Sequence, residues 1–218
     1  VIMSDKSNKY GYVGVDIPAQ SFQSNKGVFN PAEINELVAD NKWTSFGQLE
    51  LIETQTASAV TSILFNDIKE DIYNVHFMTM TNYKGTVLNT EARIRFYENG
   101  VEESGNVYQF AYVYPESSGS AGESRTTAIS HLRAGYSLGV GSNRVSNSYQ
   151  YFYNLGDSTK YSFQTMQVTG MSTDASTYRT VFGSGVLPQA STVDKIKLYF
   201  DGGGTFDATV SLYGIAES

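Results

Sequence analysis

The chain has no cysteine, only 4 prolines, 2 histidines and 1 tryptophan among its 218 residues. Without cysteine there is no disulfide framework, no thiolate-ligated zinc and no thiol nucleophile. Charge is also sparse, at 17% of residues, and 15 Lys+Arg against 22 Asp+Glu leave a net charge of −7. An acidic chain lacks the clustered cations that a sequence-independent grip on phosphates needs, so nucleic acid is not an expected partner. No apolar run approaches the ~20 residues of a membrane helix, so no membrane partner is expected either. Lys6 and Lys9 are followed by no apolar run, and a signal peptide is not expected there. Aromatics and glycine are plentiful: 16 Tyr, 12 Phe and 20 Gly. With abundant Ser and Thr this is the composition of an all-β chain.

The first 30 residues carry no sustained period, yet Tyr10, Tyr12, Val13, Val15, Phe22, Val28 and Phe29 are too many apolar groups for a solvated tail. They read as an arm that needs a surface to lie on. Asn30 then suits an N-cap, Pro31 the first helical position, and Glu33 follows three residues after the cap. Ile34, Leu37 and Val38 at i, i+3 and i+4 form one apolar stripe, and Asp40-Asn41 ends the helix. Trp43 reads as a plug between helix and sandwich. The expected division is an arm with a short anchoring helix over 1–44 and a β-domain over 45–218.

From Gln48 the period is two. Strands are expected at Leu49–Glu53, Val60–Phe65, Tyr73–Thr79, Glu91–Tyr97, Asn106–Tyr114, Lys160–Thr169, Tyr178–Phe182, Val193–Phe200 and Thr205–Ile215, with Tyr136–Val140 and the aromatic run Tyr149–Tyr153 as further candidates. Ala92, Ile94 and Phe96 should face the core while Arg93 and Arg95 face water. Asn99-Gly100 predicts a tight turn and Asp201–Gly204 a hairpin turn. Pro115 and the Ser/Gly-rich stretch to Glu123 read as a loop. About ten short strands and one helix predict an antiparallel β-sandwich, jelly-roll-like, preceded by an extended arm.

The chemistry-bearing residues form no recognisable catalytic set. His76 and His131 sit in no motif that orients a base on a serine, and both read as polar outward or interfacial residues. Glu50, Glu53, Glu91, Glu98, Glu102 and Glu103 offer carboxylates for glycoside hydrolysis, but solvated charge on strand faces accounts for them equally. Asp201 and Asp207 flank the triple glycine at loose spacing for a calcium site. No catalytic residue, cofactor or metal is therefore assigned. Tyrosines remain. Tyr108, Tyr112 and Tyr114 share one strand face, and Tyr149, Tyr151 and Tyr153 share another. Tyrosine joins apolar area to a wet hydroxyl, which suits a protein interface, a stacked sugar ring or an aromatic core.

Two segments carry a family likeness. Phe29-Asn-Pro-Ala-Glu-Ile-Asn-Glu-Leu-Val-Ala-Asp-Asn-Lys-Trp43 runs into Leu49-Glu-Leu-Ile-Glu-Thr-Gln-Thr-Ala57, and the chain closes on Ile196-Lys-Leu-Tyr-Phe-Asp-Gly-Gly-Gly-Thr-Phe-Asp207 and Val210-Ser-Leu-Tyr-Gly-Ile215. Over residues 27 to 65 and 193 to 215 this resembles virion proteins of tailed bacteriophages, of the fibre, tail and capsid-decoration kind found in marine and cyanobacterial phages. The resemblance implies a non-enzymatic virion structural protein, a capsid decoration or a head or tail fibre subunit. Its partners would be other virion proteins of capsid or tail and further copies of itself, since such proteins often form homotrimers. Tyr10, Tyr12, Val15, Phe22 and Phe29 are the expected partner-facing anchor. The loops Ser117–Glu123 and Ser142–Ser148 are expected to face outward. The alternative is a receptor- or carbohydrate-binding module of a fibre tip, with a host surface glycan as ligand. A glycan-cleaving enzyme is a third reading and needs two carboxylates facing a groove.

Overall fold

A computed structural model describes residues 31–39, 49–87, 91–135, 144–171 and 177–216. The anchor residues Tyr10, Tyr12, Val15, Phe22 and Phe29, together with Trp43 and the candidate strand 136–140, lie outside them. By backbone proximity the chain divides into two units, and the helix belongs to a different unit from the strands. The helix α1 spans Pro31–Ala39, with proline at its first position as the sequence predicts. Ile34 and Leu37 are less exposed than Asn35 and Glu36, in keeping with a single apolar stripe.

The strands are β1 (Leu49–Val60), β2 (Ser62–Phe65), β3 (Val75–Gly85), β4 (Ala92–Glu98), β5 (Val101–Glu102), β6 (Tyr108–Pro115), β7 (Ala121–Ile129), β8 (Leu132–Arg133), β9 (Ser146–Tyr153), β10 (Ser162–Met171), β11 (Tyr178–Leu187), β12 (Val193–Phe200) and β13 (Phe206–Ile215). They form two antiparallel sheets packed into a sandwich. The large sheet has eight strands in the order β1-β13-β3-β9-β10-β11-β6-β7, and the small sheet runs β2-β12-β4-β5 with β8 also on β4.

Alternation places the core. Ala92, Ile94 and Phe96 of β4, Ile196, Leu198 and Phe200 of β12, and Phe206, Ala208, Val210 and Leu212 of β13 are all buried. Phe96 meets Phe152 edge to face at 5.8 Å, tying the small sheet to the large one. Asn99 and Gly100 take φ 51° and 78°, the left-handed pair that a two-residue hairpin between β4 and β5 requires.

The other glycine turn behaves differently from the expectation. Asp201–Gly203 is a short 3₁₀ turn, with Gly202 at φ 82° and Gly203 at φ 74°. It does not close a hairpin. It carries the chain out of the small sheet into the large one, where β13 pairs with β1 and β3 instead of β12. Tightness is visible in Asp-Gly-Gly-Gly, but which sheet receives the next strand is decided by pairings more than 120 residues away.

β1 is longer than predicted and absorbs Val60. It is bulged twice, between Leu51 and Glu53 and between Ala57 and Val60. At the second bulge Ala59 takes φ 53°, and its N–H donates to Asp207 Oδ1 at 2.8 Å. A left-handed alanine costs roughly 1–2 kcal/mol, and glycine removes that cost while adding backbone entropy to the unfolded chain. Ala59→Gly is therefore expected to raise stability by up to about 1 kcal/mol, read as a higher midpoint in urea.

Candidate interaction surface

The face of the large sheet turned away from the core is built by the same alternation that fills the core. Pairing register carries one row across it: Leu51 lies opposite Tyr213, Tyr213 opposite Phe77, Phe77 opposite Tyr151, and Tyr151 opposite Thr165. Thr165 continues to Ser184, then Ala111, then Arg125. One row on this side contains Tyr153, Phe163 and Val186, and the other Tyr149, Phe182 and Val113. Phe77 gathers the rings, with centroids 4.8 Å from Tyr151, 6.1 Å from Tyr213 and 6.2 Å from Tyr149. Leu49, Leu51, Val113, Tyr149, Phe163 and Phe182 are exposed, between 42% and 59%.

In these three rows no side chain is charged until Glu123 and Arg125 on β7. Three rows two residues apart across seven strands span roughly 14 Å by 29 Å, about 400 Å². Rings and aliphatic groups fill much of that area, with Thr79, Thr165, Gln167, Ser184 and Ser211 between them, and large exposed apolar areas on a folded domain are often functional. Between Phe163 and Phe182 the small side chains of Ser184 and Ala111 leave a shallow trough bounded by Arg125 and Thr127.

The interior behind β9 and β10 is correspondingly polar. Ser146, Ser148, Gln150, Ser162 and Gln164 are buried, and Gln164 Nε2 donates to Gln150 Oε1 and to the Arg133 carbonyl. These two strands thus place hydroxyls and amides inside and aromatic rings outside. This corrects the expected outward loop Ser142–Ser148, because Ser146–Ser148 lie on β9 with both serines turned inward. The loop expected from 117 to 123 is likewise shorter, since Ala121 already pairs with Pro115.

The two tyrosine sets separate. Tyr108 and Tyr112 are buried in the sandwich; Tyr108 Oη accepts from the Phe96 N–H at 3.0 Å and donates to the Glu103 carbonyl at 3.1 Å. Tyr149, Tyr151 and Tyr153 are on the outer face. Sequence alternation finds both sets but assigns neither a side. Phe77, Phe163, Phe182 and Tyr213 are members of the surface that sequence reasoning missed, because they come together only through the register of non-adjacent strands.

Both histidines are buried, against the expectation that they face outward. His76 Nε2–H donates to the Ile68 carbonyl at 2.7 Å, and burial pulls its pKa below the ordinary value. His131 lies among Arg93, Arg95 and Arg133; burial first, and those three cations next, lower its pKa to about 3. Among the described residues neither of its ring nitrogens has a hydrogen-bond partner. It is held neutral, a structural imidazole in a cationic surrounding.

Arg93 and Arg95 do not simply face water. Arg93 meets Asp201 at 2.5 Å and Glu91 at 3.7 Å. Arg95 Nε donates to the Ser130 carbonyl at 2.8 Å, and its Nη1 donates to Glu102 at 2.9 Å. Burial pushes the Glu102 pKa up, but bonds from Lys197, Arg95 and Tyr97 outweigh it and hold the carboxyl below its ordinary value. Four of the other five carboxylates considered for hydrolysis are also engaged: Glu50 by the Tyr73 hydroxyl at 2.6 Å, Glu91 by Arg133, Glu98 by the Ser191 hydroxyl and Glu103 by the Gly105 N–H at 2.6 Å. Asp201 serves Arg93, and Asp207 serves Ala59 and Lys84. Among the described residues no three potential ligands cluster as a metal site, and no helix is long and apolar enough to cross a membrane. No family model matches the chain, and no curated protein or solved structure matches it.

Proposed function

We propose that the protein works by adhesion, as a non-enzymatic structural component of a bacteriophage virion: a capsid decoration or a head or tail fibre subunit that self-associates and docks on the particle. The observation that carries this reading is the uncharged aromatic outer face of the large sheet. Its area is about half of what one partner gives to a standard protein interface, so it forms the apolar centre of a larger contact with another virion protein. Aromatic side chains at such a centre carry a disproportionate share of binding energy. The fibre- and decoration-like segments around Phe29–Trp43 and Ile196–Asp207 support the same assignment.

The test is co-sedimentation of the purified chain with particles lacking it. Tyr149→Asp and Phe182→Asp are each expected to weaken docking about tenfold or more, with unchanged far-ultraviolet circular dichroism because both side chains are already exposed. A chain that ignores the particles, or variants that dock as well as the parent, would end the proposal.

A second reading, a glycan-binding fibre tip, is favoured by one feature. Thr79, Thr165, Ser211 and Gln167 set hydroxyl and amide groups among the rings of the same face, and uncharged sugars offer both apolar ring faces and hydroxyls. A glycan array read against Tyr151→Ala separates the two: sugar binding lost with the ring supports the tip, and an empty array removes it.

A further inference from the structure

Two open sheets leave edges, and most of the edges here are blunted. β2, β5 and β8 are four, two and two residues long. β1 is broken by its two bulges, the second fixed by the bond from Ala59 to Asp207. Short strands and bulges are how natural sheets keep an edge from pairing. β7 is nine residues long, and its one bulge lies at its far end, between Thr126 and Ile129. It contains no proline and no lysine, its register with β6 is unbroken from Ala121 to Thr126, and over that stretch its side chains are small except Glu123 and Arg125.

The hairpin determines which backbone groups are free. The Glu116 N–H donates to the Ser120 carbonyl at 2.8 Å. Antiparallel pairs alternate between bonded and non-bonded, so Gly122 and Ser124 bond across to β6, while the N–H and C=O groups of Glu123 and Arg125 point along the outer edge, where among the described residues no strand pairs with β7. The side chains of these two residues stand on the outer face and bond each other at 2.8 Å, both well exposed.

We infer that β7 pairs antiparallel with β7 of a second copy about a two-fold axis at Ser124. That register sets Glu123 opposite the partner's Arg125 and Arg125 opposite the partner's Glu123, so four charges alternate in sign around the axis. Moving the axis to Glu123 or to Arg125 sets like charges opposite each other, which is unfavourable. The two charges that would repel an unrelated edge are therefore complementary to themselves in one register. The contact is isologous and closes as a dimer. It makes the two large sheets continuous, with both aromatic faces on the same side. This deepens the self-association part of the proposed function. Its test reads the dimer alone, so a failure here is distinct from a failure of docking.

The test is sedimentation velocity on the full chain. The parent is a dimer. Glu123→Arg and Arg125→Glu each present four like charges at the axis and weaken self-association about tenfold or more. Mixed one to one they restore the dimer, because one copy then offers two cations and the other two anions. The double swap Glu123→Arg with Arg125→Glu dimerises like the parent. Ser124→Cys adds an orthogonal readout in a chain with no other cysteine. At the axis the two Cα atoms sit about 4.5 Å apart in a non-bonded pair, within disulfide range, so oxidation yields a covalent dimer. Thr127→Cys, away from the axis, does not. A monomeric parent, single variants that stay dimeric, or equal cross-linking at 124 and 127 would each overturn the inference.

Discussion

Glu91→Ala is expected to cost about 3–5 kcal/mol of stability. The Glu91 carboxylate is bonded to Arg133, and the two side chains are only 12% and 13% exposed. Arg133 is wedged among rings, 4.8 Å from the Phe110 centroid and 4.9 Å from that of Tyr112. Arg93 approaches the same carboxylate from β4. Burial outweighs these cations and raises the Glu91 pKa above its ordinary value, so the pair is expensive to hold even when intact. Removing the acid alone leaves the Arg133 guanidinium in place without its anion. The double variant Glu91→Leu with Arg133→Met replaces the pair by apolar volume and is expected to recover most of the loss. Urea unfolding of both variants measures this; a single variant within 0.5 kcal/mol of the parent would show that the ion pair carries no such weight.

Acid is expected to unfold the protein early, from the histidines. A buried imidazole with a lowered pKa favours the folded state only while neutral. Between the ordinary value of 6.5 and the folded value of about 3 for His131, the unfolded chain binds the extra proton. Stability therefore rises with pH through that window and is complete above about 6.5. His76 acts in the same direction. Glu91 acts oppositely: its raised pKa makes the folded state the better proton acceptor just above 4.5, which partly offsets the loss. His131→Leu removes the larger histidine contribution and is expected to flatten the decline. Chemical denaturation at half-unit steps from pH 8 to 4 reads this out; parallel curves for parent and variant would refute the assignment.

How much of this was legible depends on what alternation can say. Pro31 and the Ile34–Leu37 spacing give the helix, and Arg93-Ile94-Arg95-Phe96 and Lys195–Phe200 give strands with the correct inward side, because charge marks the other face. Where both faces are uncharged the pattern is symmetric. In Tyr161-Ser-Phe-Gln164 and Ser148-Tyr-Gln-Tyr151 period two is plain, yet the rings point out and the hydroxyls and amides point in. Hydrophobicity alone would choose the reverse. His76 has the same ambiguity between Val75 and Phe77, and the structure resolves it by seating the imidazole on the Ile68 carbonyl. The aromatic surface was half visible, as Tyr149, Tyr151 and Tyr153. Its other half, Phe77, Phe163, Phe182 and Tyr213, follows from which strands are neighbours, and that is a non-local property.

β13 sits between β1 and β3, so Ile215 is paired with Leu49 and Val75 at once. During synthesis the β1 end of the large sheet therefore waits for residues 206–215 to leave the ribosome. Until then β1 has no neighbour in its sheet and β3 is held on one side only. Sheets closed by such distant segments mature slowly, in roughly milliseconds to seconds. Through that interval the nascent chain shows raw strand borders beside its ring-rich surface, the combination on which chaperones act.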